Sequence, residues 1–413
     1  MLTPHPTLRR ADLFPHRAND PGILGGQDTL HLTYNARGAL YQLLRALSEK
    51  QKRIVLLPGF HCTALVEPVA HLRLPTIFYR IKPDLSIDLD DLRSKVTSDS
   101  VVVVIHFFGF PANLDPLLEM REQTGFHLLE DCAHSFLTLE GSRNPGRRGD
   151  FSIYSFYKTV PSLFGGGLRI NNKQLTFVPS QNQVSLKESV VIGKRLVEQL
   201  IENSNDGFLK RSFQRLENYR VARKHTAATT THESAAPGFV DDPYLFREDL
   251  ALAQMPAVSK RILKSCDWQE IMAARRRNYE LLSATLQETA LLHKFFPTLP
   301  EGVCPWAYPV LLKDRVRYEQ QLRARGVPLF TFGEVLHPLL ADADALTRES
   351  AEYLSQRLLM LPVHQNLSVE GMLRYAKEIN LFMTDVADNP SVSDLASDSA
   401  SAAPQPLGMR VAR

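Results

Sequence analysis

The strongest constraint on the fold is an alternation that fills residues 30–170. Short apolar runs, many of them β-branched, are separated by segments with helical spacing. Val101–Phe107 (VVVVIHF) is continuously apolar through Ile105, the pattern of a strand covered on both faces. Arg53–Leu57, Thr76–Arg80, Phe126–Glu130 and Phe151–Phe156 read as further strands, and Leu30–Asn35 as a short leading one. Leu40, Leu43, Leu44 and Leu47 recur on one helical face behind Asn35, a suitable N-cap. Thr63–Leu72 and Asp115–Gln123 also predict helices. Strands spaced by helices imply an α/β protein with a mostly parallel central sheet flanked by helices.

Beyond Ile170 the pattern changes. Val184–Asn203 and Phe208–Lys224 predict two charged amphipathic helices, followed by a small, polar connection at 225–240. Leu245–Leu263 and Trp268–Leu286 read as long helices. Ala307–Leu312 and Leu359–Val363 read as strands, with helices at Tyr318–Arg325 and Val369–Leu381. The expected organisation is an irregular N-terminal arm (1–28) and a large domain (29–240) with a helical insertion at about 184–224. A smaller C-terminal α+β domain (241–387) and a disordered tail (388–413), rich in Ser, Ala, Asp and Pro, complete it.

Composition narrows the function. A net charge of +3 over 413 residues gives no basic nucleic-acid surface, and the arginine runs at 211–223 and 275–277 read as solvated helix faces. The four cysteines are far apart with no CxxC pair, which fits a reducing cytoplasm and no zinc or other metal. The first residues hold no apolar signal stretch, and no apolar run is long enough to span a bilayer. P-loop, GxGxxG, HExxH and GxSxG motifs are all absent.

The chemistry concentrates at two strand ends. Asp131 closes the Phe126–Leu129 run, and Lys158 follows the Phe151–Phe156 run and precedes Gly165-Gly166-Gly167. The carboxyl ends of strands are where open α/β sheets bind ligands. Apolar neighbours favour the neutral form of a lysine, which is the nucleophilic one. A strand-end acid, a strand-end amine and a glycine turn together suit pyridoxal 5'-phosphate: the amine bonds the aldehyde and the acid keeps the pyridine nitrogen protonated. His134 is placed to reach the phenolic oxygen. The phosphate has two candidate holders, the amides at the start of the helix at Ala36 and Arg37, and the Ser155 hydroxyl. Each residue also has an ordinary reading: a surface lysine, a capping or ion-paired aspartate, a buried histidine.

These blocks resemble the DegT/DnrJ/StrS family of pyridoxal phosphate-dependent sugar aminotransferases, of the fold type I class. NARGALYQLL stands at the family's phosphate-binding segment and LLPGFHCTALVEPV at its LPxYTxxAT segment. IHFFGFPANLDPL, LLEDCAHSF and GDFSIYSFYKTVPSLFGGGLRINN follow in family order, and YPVLLKDR, LRARGVP and LMLPVHQNLS match C-terminal blocks. The resemblance makes Lys158 the cofactor-bonding lysine, Asp131 the pyridine-nitrogen acid, His134 the phenolic-oxygen contact, Ser155 a phosphate ligand, and Ala36 and Arg37 the phosphate-binding backbone. It implies a homodimer that shares active sites and moves an amino group from a donor such as glutamate to a nucleotide-linked keto-sugar.

The chain departs from the family in several places. Lys158 sits two residues closer to Gly149-Asp150, Leu163-Phe164 replace a glycine–glutamate pair, and Arg37 replaces a threonine. Cys62 occupies the position of the aromatic residue that stacks on the cofactor, leaving Phe60 or His61 for that role. Two other readings remain: a dehydratase, whose family members carry histidine at the lysine position, and a binding or regulatory protein without turnover.

Overall fold

The computed structural model describes residues 6–8, 10–13, 30–49, 54–139, 144–174, 177–202 and 246–388. The expected Phe208–Lys224 helix, the 225–240 connection, the boundary near 240, most of the N-terminal arm and the tail beyond Asp388 lie outside them.

Strands β1 (Leu30–Thr33), β2 (Ile54–Pro58), β3 (Thr76–Tyr79), β4 (Ser100–Ile105), β5 (His127–Asp131), β6 (Phe151–Ser155) and β7 (Gly166–Ile170) make one sheet, in the order β1-β7-β6-β5-β4-β2-β3. The pairs β2–β3, β2–β4, β4–β5 and β5–β6 are parallel. β7 runs antiparallel to both β6 and β1. Val101 to Val104 on β4 have no exposed surface, as the unbroken apolar run predicts.

β7 is a correction. The glycines after Lys158 read as a turn, but Gly166 and Gly167 lie inside a strand. Only Gly165 has a positive φ, +144°. Gly166 is needed for approach rather than for a turn. A Cβ there would collide with the backbone of Asn35 and Ala36, where the helix Ala36–Ser48 begins.

A second sheet, ordered β10-β9-β8, is antiparallel throughout and comprises β8 (Leu292–Lys294), β9 (Ala307–Leu312) and β10 (Leu358–Pro362). β8 is too short for periodicity to reveal. The helix Trp268–Thr285 falls where spacing predicts it, and Val369–Asp388 runs longer than expected. Leu245–Leu263 is not one helix. Glu248–Ala251 ends, Ala253 and Gln254 bridge to Asn182 and Thr33, and a new helix, Ala257–Ser265, starts behind Pro256. Proline removes an N–H that a continuous helix would need. The first insertion helix is present as Leu186–Glu202. Its Glu188 carboxylate accepts the Tyr34 hydroxyl at 2.6 Å.

The largest apolar cluster crosses between the two sheets. Trp306, Ala307, Phe330, Phe332 and Met360 pack with the faces of β2, β4 and β5. A second cluster fills the space around the small sheet and the helix Val369–Asp388.

Candidate active site

Because β5 and β6 are parallel, with Asp131 beside Ile153, their carboxyl ends open on the same edge of the sheet. Asp131 is the last residue of β5. Ser155 ends β6 and leads through a single 3-10 turn, Phe156–Lys158, to the lysine. The Ala36–Ser48 helix begins on the neighbouring side, with the Asn35 side chain accepting the Gly38 amide at 2.7 Å. These parts line one cleft, open to solvent, which Cys62, Ala133, His134 and Phe332 also border. Lys158, Asp131, His134, Ser155, Ala36 and Arg37 are therefore brought together.

Lys158 Nζ lies 3.0 Å from His134 Nε2 and 5.0 Å from the centre of the Trp306 ring. The Phe108 amide donates to His134 Nδ1 at 3.4 Å. Trp306 stacks on the imidazole at 3.9 Å and 14°, and Phe108 lies beside it, ring parallel, at 5.8 Å. Burial holds the His134 pKa well below its ordinary value, so the ring is neutral. Burial raises the Asp131 pKa, while the Lys158 charge and the Ala133 amide, at 2.9 Å from Oδ1, pull the other way.

The anion end of the cleft has a distinct character. Ser155 is 3 % exposed, and no described residue forms a hydrogen bond with its hydroxyl. Ser155 borders the cleft, where its hydroxyl can donate to a ligand acceptor. Arg37 is held by Glu67 at 2.8 Å in a nearly buried ion pair. The donor set suits pyridoxal phosphate: an acid for a ring nitrogen, an amine for an aldehyde, and a hydroxyl beside a helix start for a phosphate.

Phe60 and His61 are corrections, because neither borders the cleft. Both are fully buried. Phe60 packs on Phe107 and Phe332. His61 donates from Nδ1 to the Gly59 carbonyl at 2.8 Å and accepts the His337 amide at Nε2. Burial takes its pKa down to about 4. After β2 the chain turns directly into the helix Thr63–His71, and Cys62 at its N-cap is the residue that reaches the cleft.

Sequence reasoning missed Trp306, Phe108 and Arg275. Arg275 is fully buried, and its guanidinium donates to the carbonyls of Lys158, Thr159, Pro305 and Trp306 and to Gln365 Oε1. Helical phase carried the signal, since Ile271, Asn278, Tyr279 and Leu282 share its buried stripe while Arg276 and Arg277 do not. His106, Glu130 and Cys132 also gather ligand atoms within 4.8 Å of one another. Glu130 there already accepts His106 Nε2 and the amides of Gly146, Arg148 and Gly149, so hydrogen bonds saturate the group.

The sheet is mostly parallel and carries an amine, an acid and a helix start at its carboxyl ends. Residues 27–176 match the model of the DegT/DnrJ/EryC1/StrS aminotransferase family, so the family resemblance read from the motifs holds across that segment.

The same fold is found in an aminotransferase, TlmJ, from Streptoalloteichus hindustanus, at a TM-score of 0.60 and 20% identity over 88% of each chain. It is also found in DesI, solved in the presence of its TDP-sugar product, at a TM-score of 0.59 and 18% identity over 92% of this chain and 86% of that one. Among curated proteins, a GDP-perosamine synthase of Vibrio cholerae is 27% identical over 172 residues, 40% of this chain and 46% of the relative. A UDP-4-amino-4,6-dideoxy-N-acetyl-beta-L-altrosamine transaminase of Campylobacter jejuni is 26% identical over 148 residues, 34% and 39% of the two chains. The chain thus spans less than half the length of the curated relatives it matches. No helix among the described residues is long and apolar enough to cross a membrane.

Proposed function

We propose that this protein is a pyridoxal phosphate-dependent aminotransferase that moves an amino group from an amino acid, glutamate by family analogy, to a nucleotide-linked keto-sugar. The observation that carries the reading is Lys158 facing the same cleft as Asp131, with His134 against its amine. The cofactor, when bound, supplies an electrophilic aldehyde carbon and a ring that takes up the charge left when a substrate C–H bond breaks. Lys158 Nζ would hold the aldehyde carbon, with loss of water, and as a free amine would carry the proton to and from the substrate carbon. Asp131 would hold the ring nitrogen's proton, His134 would face the phenolic oxygen, and Ser155 with the amides of Ala36 and Arg37 would hold the phosphate. A cytoplasmic homodimer with shared sites, free of nucleic-acid and membrane partners, completes the reading. A dehydratase of this family would carry histidine where Lys158 stands.

Absorbance spectra of the purified protein with added pyridoxal phosphate test the proposal. The expected result is a visible band that shifts with glutamate, is lost in Lys158→Ala, and is bleached by borohydride as the cofactor becomes a permanent covalent label on Lys158. Incubating the pyridoxamine phosphate form with a panel of keto-sugar nucleotides then identifies the acceptor. Bound cofactor without any shift would defeat the transaminase reading, and a label elsewhere than Lys158 would defeat the lysine assignment.

A further inference from the structure

The family's stacking aromatic is missing, with Cys62 in its place, yet an aromatic stack stands one layer deeper. Trp306 covers one face of His134 at 3.9 Å, Phe108 lies beside the imidazole with its ring parallel, and Phe332 meets it edge-on at 4.9 Å. Trp306 is anchored twice. Its amide donates to the Phe108 carbonyl at 2.8 Å, and its carbonyl accepts from Arg275, which also grips the Lys158 carbonyl.

Proton placement follows from the donors. The Phe108 N–H points at His134 Nδ1, so Nδ1 is an acceptor. A neutral imidazole then carries its hydrogen on Nε2, 3.0 Å from Lys158 Nζ. An ammonium cannot accept that hydrogen, whereas an uncharged amine can.

We propose that Trp306 is a positioning residue: with the Phe108 amide it fixes His134 as the tautomer whose Nε2–H faces Lys158, so that the lysine is presented as a lone-pair acceptor and nucleophile. The pocket is set for covalent capture of an aldehyde before any cofactor enters. Among the described residues, other groups around the amine act on it in both directions. Asp131, at the end of β5, favours an ammonium. Arg275 behind the Lys158 carbonyl and Arg37 across the cleft oppose one, and Cys62 and Ser155 border the same space uncharged. This inference rests on the cofactor-site reading only for its purpose and not for its geometry.

The test uses the cofactor-free full chain. Formaldehyde with cyanoborohydride methylates neutral lysine amines, and peptide mass spectrometry reads the rate at Lys158 against pH. Wild type is expected to react at pH 7 at least tenfold faster than the solvent-exposed lysines, with a nearly flat profile up to pH 10. Trp306→Ala should react at pH 7 no faster than the exposed lysines and approach the wild-type Lys158 rate only near pH 10, whereas Trp306→Phe should keep most of the advantage at pH 7. Nitrogen-15 NMR of the imidazoles, with His134 assigned through His134→Gln, should show His134 protonated on Nε2 in wild type and a tautomer mixture in Trp306→Ala. Thermal melts exclude unfolded variants, and Trp306→Phe carries the test if Trp306→Ala does not fold. A wild-type Lys158 that titrates like an exposed lysine, or a His134 protonated on Nδ1, overturns the proposal. A fast Lys158 in a protein that never retains pyridoxal phosphate would instead sink the aminotransferase reading and leave this inference standing.

Discussion

Glu130 and Asp131 are neighbours on β5, both buried, and the fold drives their acidities in opposite directions. Burial raises both carboxyl pKa values. At Glu130 the His106 hydrogen bond and charge and the Gly149 and Gly146 amides outweigh it and leave the group below its ordinary 4.5. At Asp131 burial wins and leaves the group above its ordinary 3.8. A carboxylate whose folded pKa is depressed contributes stability above its unfolded pKa and loses it as pH falls through the folded value. Glu130→Gln is therefore expected to cost about 2 kcal/mol near neutral pH, the scale of hydrogen bonds to a charged group. The gap from wild type should close as the pH drops below 4.5. Urea unfolding at a series of pH values measures it, and a gap that widens in acid would contradict the assignment. At this scale the sequence revealed the residues whose type is the chemistry: Lys158, Asp131, His134, Ser155. It concealed those whose role depends on what packs above them. Nothing local tells a tryptophan ahead of a strand that a histidine from another strand's end lies beneath it.

Elements were legible where period and length were strong. β2 to β6 and the helix Trp268–Thr285 fall within a residue or two of the apolar runs that predict them. β7 was hidden because its first two residues are glycines, which lack the side chains that make a strand visible. Those glycines separate two kinds of constraint. Gly166 faces rigid backbone at Asn35 and Ala36, whereas a Cβ on Gly165 would meet the flexible end of Met255, at a positive φ. Gly166→Ala must push β7 away from the helix start that proposes to hold the phosphate. It is expected to weaken pyridoxal phosphate binding at least tenfold, with little change in affinity for dephosphorylated pyridoxal. Gly165→Ala should lower stability by about 1 kcal/mol through its backbone strain and leave the preference for the phosphate form intact. Fluorescence titrations with both aldehydes distinguish them, and equal losses for the two ligands in Gly166→Ala would refute the role given to that contact.

For the whole molecule, sequence and fold carry different amounts of information along the chain. The family model matches residues 27–176, while solved relatives superpose over 85–92% of the chain. The matched part holds the groups that must keep their chemical identity. The C-terminal sheet needs mainly apolar volume in the right pattern, which tolerates substitution far better. That sheet is nonetheless tied to the site. Trp306 and Phe332 belong to the central apolar cluster, Arg275 joins the Lys158 turn to Pro305, Trp306 and Gln365, and Lys95 links Asp91 and the Phe78 carbonyl to Asp344. Gly109 lies so close to Cys304 and Trp306 that a Cβ would not fit between them. Separating the sheets would expose this cluster and leave the Arg275 charge without its acceptors, a cost of several kcal/mol that no intermediate would recover. Thermal unfolding of the full chain is therefore expected to be one cooperative transition. Pyridoxal phosphate at about 100 times its dissociation constant should move that transition as a whole by about 2.7 kcal/mol of stabilisation. In Arg275→Met the transition should broaden, and the cofactor should stabilise only its later part. Calorimetry decides: two resolved endotherms in wild type, only one of them responding to cofactor, would mean that the second sheet folds independently of the pocket it walls.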